Sequence, residues 1–256
     1  MARARRARQP SALITPARAP RFYVDAALRA GGTCVLSEDA AHHAVRVLRV
    51  RAGDAITLFN GRGGEYPARI AAIERLRVAA DVLEHRAVER ESPLRMVLVQ
   101  GVSAGERMDF TVRKAVELGV AEIRPVLAAA SVARPKGERA ATRHAHWQKV
   151  AIAACEQCGR NRIPVVHPLV AAADYSADDA GAKILLSPRA ELALSKVSID
   201  AAVTVAAGPE AGFSAEEEAA FARSGFIPAK LGPRVLRTET AALAALAALS
   251  ALRGDF

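Results

Sequence analysis

A small β-barrel followed by a parallel α/β domain is the fold this sequence predicts, and three observations predict it. Residues 22–90 read as short apolar stretches cut by glycine-rich turns. From residue 94 onward apolar strands alternate with amphipathic helices, the rhythm of a parallel sheet. Between the two, near 86–93, the composition turns charged and proline-marked, as linkers do. The expected layout is a basic flexible arm at 1–19, a barrel at 20–90 and the α/β domain at 94–256.

Each element has a local reason. In the first domain, candidate strands lie at 22–24, 33–36, 55–59, 65–73 and 77–84. They are separated by Gly31-Gly32, Gly53-Asp54 and the run Asn60-Gly61-Arg62-Gly63-Gly64, and strands this short close most naturally into a barrel. Ser37, followed by Glu38 and Asp39, reads as the N-cap of a helix carrying Ala44, Val47 and Leu48. In the second domain, 96–99 is a compact apolar strand. Residues 105–118 put Met108, Val112, Ala115 and Val116 on one helical face, with Gly119 as the C-cap residue. A strand at 123–127 and a long helix at 139–156 follow, the helix holding the chain's one tryptophan, Trp147. Strands at 183–186, 203–206 and 226–230 come next, with Ser214 capping an acid-rich helix between the last two. The final helix starts near Thr238, and its Leu243, Leu246 and Leu249 are expected to face a second copy of the chain.

Composition narrows the function classes. With 256 residues, 51% of them hydrophobic, the chain can bury a large core without a disulfide or metal staple. No run approaches the ~20 apolar residues of a membrane helix, and no apolar stretch of secretory-signal length follows the first arginines. The expectation is a soluble, cytoplasmic protein. Of the net charge of +9, six units sit in residues 1–21 as arginines 3, 5, 6, 8, 18 and 21, a pattern that fits either a polyanionic partner or a solvated tail. Three cysteines, Cys34, Cys155 and Cys158, are too few for a disulfide framework. Cys155 and Cys158 have CxxC spacing, but no second ligand pair accompanies them, so no metal is expected.

Open α/β sheets bind ligands beyond the carboxyl ends of their strands. Three strand-end loops carry glycine or proline there: Leu186-Ser187-Pro188-Arg189, Ala207-Gly208-Pro209-Glu210-Ala211-Gly212, and 231–238 beginning Leu231-Gly232-Pro233. None matches a P-loop or a dinucleotide fingerprint. Taken together with GERMDFTVRKAVELGV at 105–120, ACEQCGRN at 154–161, AAGPEAGFS at 206–214 and LGPRVLRTETA at 231–241, the sequence resembles the bacterial 16S ribosomal RNA (uracil-N3)-methyltransferases, of the SPOUT class. PRFYV at 20–24 and HHAVRVLR at 42–49 resemble that family's PUA-like RNA-binding domain.

The resemblance implies a C-terminal trefoil knot, a bent S-adenosyl-L-methionine held mainly by main-chain groups, and a homodimer acting on 16S ribosomal RNA of the small subunit, at N3 of the uracil-1498 position. On this chain it implies a cofactor pocket from Leu186, Ser187, Pro188, Gly208, Pro209, Glu210, Gly212, Leu231, Gly232, Leu236, Arg237 and Thr238. Uracil N3 is a poor nucleophile until its proton leaves, so the site needs a proton acceptor and a cation for the developing negative charge. Arg237, Glu210, Glu239 and Arg160 carry suitable groups within the matched motifs. For RNA contact, Arg21, His43, Arg46, Arg49, Arg160 and Arg162 are the candidates, with Arg46 and Arg49 expected three apart on one helix.

The chain departs from the family pattern at three places, one of them a pair of residues. Ala211 replaces a glycine, which would strain the turn if that residue requires positive φ. Ser187 stands where a histidine is usual, and Ala129 and Ala130 replace a Glu-Arg pair. The alternative from another class is a non-catalytic RNA-binding or ribosome-assembly protein that retains the fold.

Overall fold

The computed structural model describes residues 19–256 apart from 76, 133, 177–179 and 254, so the arm expected at 1–19 falls, but for its last residue, outside the described residues. The chain forms two sheets. The first contains β1 (Arg21–Tyr23), β2 (Thr33–Val35), β3 (Ala55–Phe59), β4 (Tyr66–Glu74) and β5 (Arg77–Val82), in the order β1-β3-β4-β5-β2. Buried Phe22, Leu36, Ile56, Leu58, Ile70 and Val78 make one core with Ala41 of α1 (Glu38–His42). β1 and β2 at the ends of the sheet are not neighbours, so the expected barrel is open at that seam.

Ser37 caps α1 as expected, its hydroxyl accepting the Ala40 N–H at 3.3 Å. The helix then widens into a π-turn, His43–Val47, where the Leu48 N–H bonds His43 O five residues back. This overturns the expected single helix for 46 and 49. Arg49 lies beyond the turn, with a left-handed φ of 55°.

The second sheet has the order β12-β10-β11-β6-β7-β8, all parallel. Along the chain these are β6 (Arg95–Gly101), α2 (Glu106–Glu117), β7 (Glu122–Leu127), α3 (Glu138–Cys158), β8 (Val165–Val166), β9 (Val170–Ala171), β10 (Ala182–Leu186), β11 (Ala202–Ala207), α4 (Ala215–Arg223), β12 (Ile227–Ala229) and α5 (Thr238–Arg253). Six of seven β6 residues are buried, because both faces of a central parallel strand are covered. One face packs α2, α3 and α5 through Met108, Val112, Trp147, Leu246 and Leu249; the other packs Phe221 and Phe226 against Tyr175. Gly119, at φ 84°, follows α2 as expected, and Ser214 and Glu217 form a reciprocal capping box on α4.

Two expectations for the C-terminal region are corrected by packing. Leu246 and Leu249 are fully buried in the chain's own core and offer no face to a second copy, while Leu243 is half-buried against that core. The last strand is also prolonged: Lys230 pairs with the stretch 192–194, its N–H bonding Leu192 O and its carbonyl accepting Leu194 N–H. From there the chain turns back across two strands to Gly208 and Gln100.

The sheets are clasped together through ACEQCGRN. Arg160 is 4% exposed and donates to Val116 O at 3.0 Å, Val120 O at 2.8 Å and both oxygens of Glu91. Arg21, 7% exposed, bonds Glu65 at 2.8 Å, Asn161 Oδ1 at 2.6 Å and Arg160 O at 3.2 Å, with its guanidinium over the Phe59 ring. The Glu156 carboxylate accepts the Tyr23 N–H, and Arg90 reaches Glu65 and Gly159 O. Arg21 and Arg160 were expected to contact RNA, and Arg160 to act in catalysis; burial and engagement with carboxylates and carbonyls inside the protein remove both from those roles. Residues 88–91, expected as a plain linker, are part of the clasp.

Candidate active site

At the C-terminal edge of the parallel sheet, the loops after β10 and β11 and the segment entering α5 line a cleft of about 740 Å³. That size suits a small-molecule ligand. Leu186, Ser187 and Pro188 line it from the first loop; Gly208, Pro209, Glu210 and Gly212 from the second; Leu236, Arg237, Thr238 and Glu239 from the third. Leu231 and Gly232 do not line it. Pairing of Lys230 carries β12 further than its sequence suggests, so the loop reaches the cleft only at Val235.

The Gly-Pro-Glu loop is held tightly. A Cβ on Gly101 would come 2.5 Å from Pro209, so the end of β6 and this loop touch backbone to backbone. The Gly212 N–H closes a turn on Pro209 O at 2.9 Å. Positive φ falls on Gly212, at 77°, and not on Ala211, so the alanine departure costs the turn nothing. Thr238 donates to Gly208 O and accepts from Gln100 Nε2 at 3.0 Å, pinning the start of α5 to the ends of β11 and β6.

The charged groups divide. Partial burial raises the Glu210 pKa, but the N–H groups of Glu210 and Ala104 and the Arg107 guanidinium outweigh it and hold the carboxyl below its usual range. A carboxylate held so is a weak base. Glu239 differs: its Oε2 is buried on the cleft with no hydrogen-bond partner among the described residues. Arg237 is exposed on the same wall. Arg107, which sequence reasoning left unassigned, lies in the quoted GERMDF run and lines the cleft; Arg189 lines its rim, paired with Glu218.

Ser187 Oγ accepts the Arg189 N–H, an ordinary turn bond. Ala129, where the family has an acidic residue, donates its N–H to buried Glu217 at 2.7 Å, so the α4 capping box already supplies a carboxylate at that strand end. On the first sheet His43, Arg46 and Arg49 are all exposed around the π-turn, and Arg162 is exposed beside Glu89. Cys155 is buried, which pushes its thiol up to about 12 and marks it as a packing residue.

The chain fits a cofactor of the expected kind on structural grounds. The cleft has main-chain walls in glycine-proline loops, and a buried acceptor of a residue lining it, Glu239 Oε2, lacks a partner among the described residues. Comparison with known proteins then supplies family context. Residues 90–250 match the family model described as RNA methyltransferase domain, and 36–83 match RNA methyltransferase PUA domain. A curated relative from Buchnera aphidicola, ribosomal RNA small subunit methyltransferase E, is 31% identical and covers 96% of this chain and 98% of its own. The protein of that name from Mycobacterium tuberculosis is 32% identical, covering 90% and 91%. The crystal structure of the Neisseria gonorrhoeae enzyme of that name, bound to S-adenosyl methionine, superposes with TM-score 0.88 at 41% identity, covering 93% of this chain and all of that one.

Proposed function

The chain belongs to the RNA methyltransferase family, and from that premise we propose that it is an S-adenosyl-L-methionine-dependent methyltransferase of small-subunit ribosomal RNA whose acceptor is N3 of a uracil. The observation that carries the reading is the cleft formed by three strand-end loops, in a fold that a relative shares with S-adenosyl methionine bound. When bound, the cofactor supplies an activated methyl group, which leaves alignment and proton handling to the protein.

Four jobs follow for this chain. The main chain of 186–188, 207–213 and 235–238 would hold the cofactor, and Glu210, locked by Arg107 and Ala104, keeps the middle loop in place. Arg237 faces the cleft and stabilises negative charge on the uracil carbonyl oxygens as N3 loses its proton. Glu239, the acceptor without a partner, takes that proton. His43, Arg46, Arg49 and Arg162 contact phosphates of the RNA without specifying sequence.

The reading includes a homodimer, for which Val235, 81% exposed on the cleft wall, offers apolar surface close to the site. It places the enzyme in the cytoplasm with its substrate; among the described residues no helix is long and apolar enough to cross a membrane. A non-catalytic RNA-binding role is disfavoured, since the cofactor loops are built and pinned in full. Mass spectrometry of small-subunit RNA from cells with and without the gene tests the reading. Loss of one 3-methyluridine is expected, and an unchanged signal overturns it.

A further inference from the structure

The loop from β6 to α2 is a wall with two sides. Its Glu210-bound side faces the cleft just described, while Ser103 and Gly105 line a second cleft of about 430 Å³. The opposite wall is Arg134 and the first turns of α3, with Arg139 and Arg143 one helical turn apart. No acidic side chain lines it, and no ion pair is formed by Arg139 or Arg143 among the described residues.

These cations are misplaced for the helix itself. Positive charge at a helix N-terminus opposes the macrodipole, and Gly137 caps α3 without a side chain, the amides of Arg139, Ala140 and Ala141 bonding back to Lys136 and Gly137 carbonyls. A second observation points the same way. Trp147 lines this cleft at 1% exposure, and its indole N–H has no hydrogen-bond partner among the described residues. Buried tryptophans ordinarily find a partner for that N–H. Three guanidinium groups and the indole N–H, unpartnered among the described residues, all donate and none accepts.

We propose that this cleft binds the phosphate backbone of the RNA strand next to the target nucleotide. The inference rests on the reading above and extends it: a strand held here lies one loop's thickness from the cofactor cleft, so backbone capture by Arg134, Arg139 and Arg143 presents the neighbouring base to Arg237 and Glu239. The dividing loop is tied to Glu210 through the Ala104 N–H, so each cleft borders on the same segment.

Trp147 is the chain's one tryptophan, so its emission reads this cleft. The test titrates the full-length protein with a uridine-containing single-stranded RNA oligonucleotide at several salt concentrations. A saturable emission change is expected. In Arg139→Ala/Arg143→Ala the apparent Kd rises about tenfold or more, and the slope of log affinity against log salt falls by about 1.4, or 0.7 for each lost phosphate contact on a single strand. Arg139→Lys/Arg143→Lys retains most of the slope. Calorimetric affinity for S-adenosyl-L-methionine and the melting temperature stay at wild-type values in both variants. Wild-type RNA affinity and slope in the alanine variant overturn the proposal, as does an equal emission change with inorganic phosphate alone at micromolar concentration, which marks a small-anion site. Failure of the wild-type protein to bind S-adenosyl-L-methionine sinks the functional reading and leaves this RNA assay to be judged by itself.

Discussion

The cofactor cleft and the clasp between the two sheets use the same residue types to opposite ends. In the clasp, Arg160 and Arg21 are buried and each is held by a carboxylate and by carbonyl oxygens. In the cleft, Arg237 is exposed and Glu239 holds an oxygen with no partner. A satisfied buried charge contributes to fixing geometry, whereas an unsatisfied group on a cleft wall is available for chemistry. Proximity of ACEQCGRN to family wording therefore says little about its role. Its partners say more.

The sharpest way to break this contrast is Arg160→Ala. Removing it strands the Glu91 carboxylate and two helix-end carbonyls, at a cost of about 3–5 kcal/mol, which lowers Tm by roughly 10 °C in a thermal melt. A stable variant with collapsed turnover would instead make Arg160 catalytic. Arg237→Ala is the mirror case: stability within about 0.5 kcal/mol of wild type, and turnover on small subunits down about a hundredfold, or ~3 kcal/mol. Wild-type turnover would remove Arg237 from the reaction.

A finer division lies within the cleft. Glu210→Gln loosens the middle loop by roughly 1 kcal/mol, discounted because Arg107 is half-exposed, and weakens cofactor affinity about fivefold by calorimetry. It leaves kcat at saturating cofactor within about twofold of wild type, whereas Glu239→Gln lowers kcat about a hundredfold. A loss of that size in Glu210→Gln with little loss in Glu239→Gln would exchange the two roles.

The smallest effect concerns pH and the clasp. Burial alone would raise the Glu65 pKa, but Arg90 and Arg21 more than compensate and hold it below the ordinary carboxylate range. A depressed folded-state pKa means that its stabilisation is complete above the unfolded value, about 4.3, and is lost as pH falls through the lower folded value. Chemical denaturation of wild type against Glu65→Gln should therefore show a stability gap that is constant at neutral pH and closes below about pH 4. A gap that persists unchanged in acid would mean the carboxylate does not carry the effect.

What the sequence made legible was local. Ser37, Ser214 and Gly119 announce helix ends because a cap is decided within four residues, and the cleft loops announce themselves as glycine and proline after apolar strands. The resemblance added the family and the cofactor, which the comparisons bear out. Misassignments fell where partners are remote. Arg160 meets Glu91 across 69 residues and Arg21 meets Asn161 across 140, and neither spacing leaves a periodicity to read. The extension of β12 at Lys230 hid the same way, since its partner is the loop at 192–194. Strands β8 and β9, two residues each, are too short to show an alternation at all.

The pinning of Thr238 to Gly208 and Gln100 has a kinetic consequence. These contacts span 30 and 138 residues, so the cleft is assembled from sequence-distant pieces that only late folding events bring together. Contacts of such high order slow the search for the native state, because loop-closure entropy is lost before any packing offsets it. The helices and the antiparallel pairings of β3, β4 and β5 form from nearer neighbours than Gln100 and Thr238 and should be in place well before. Circular dichroism during refolding should thus recover ahead of cofactor binding, and the interval between the two signals measures how long the chain takes to complete its return from Lys230 to α5.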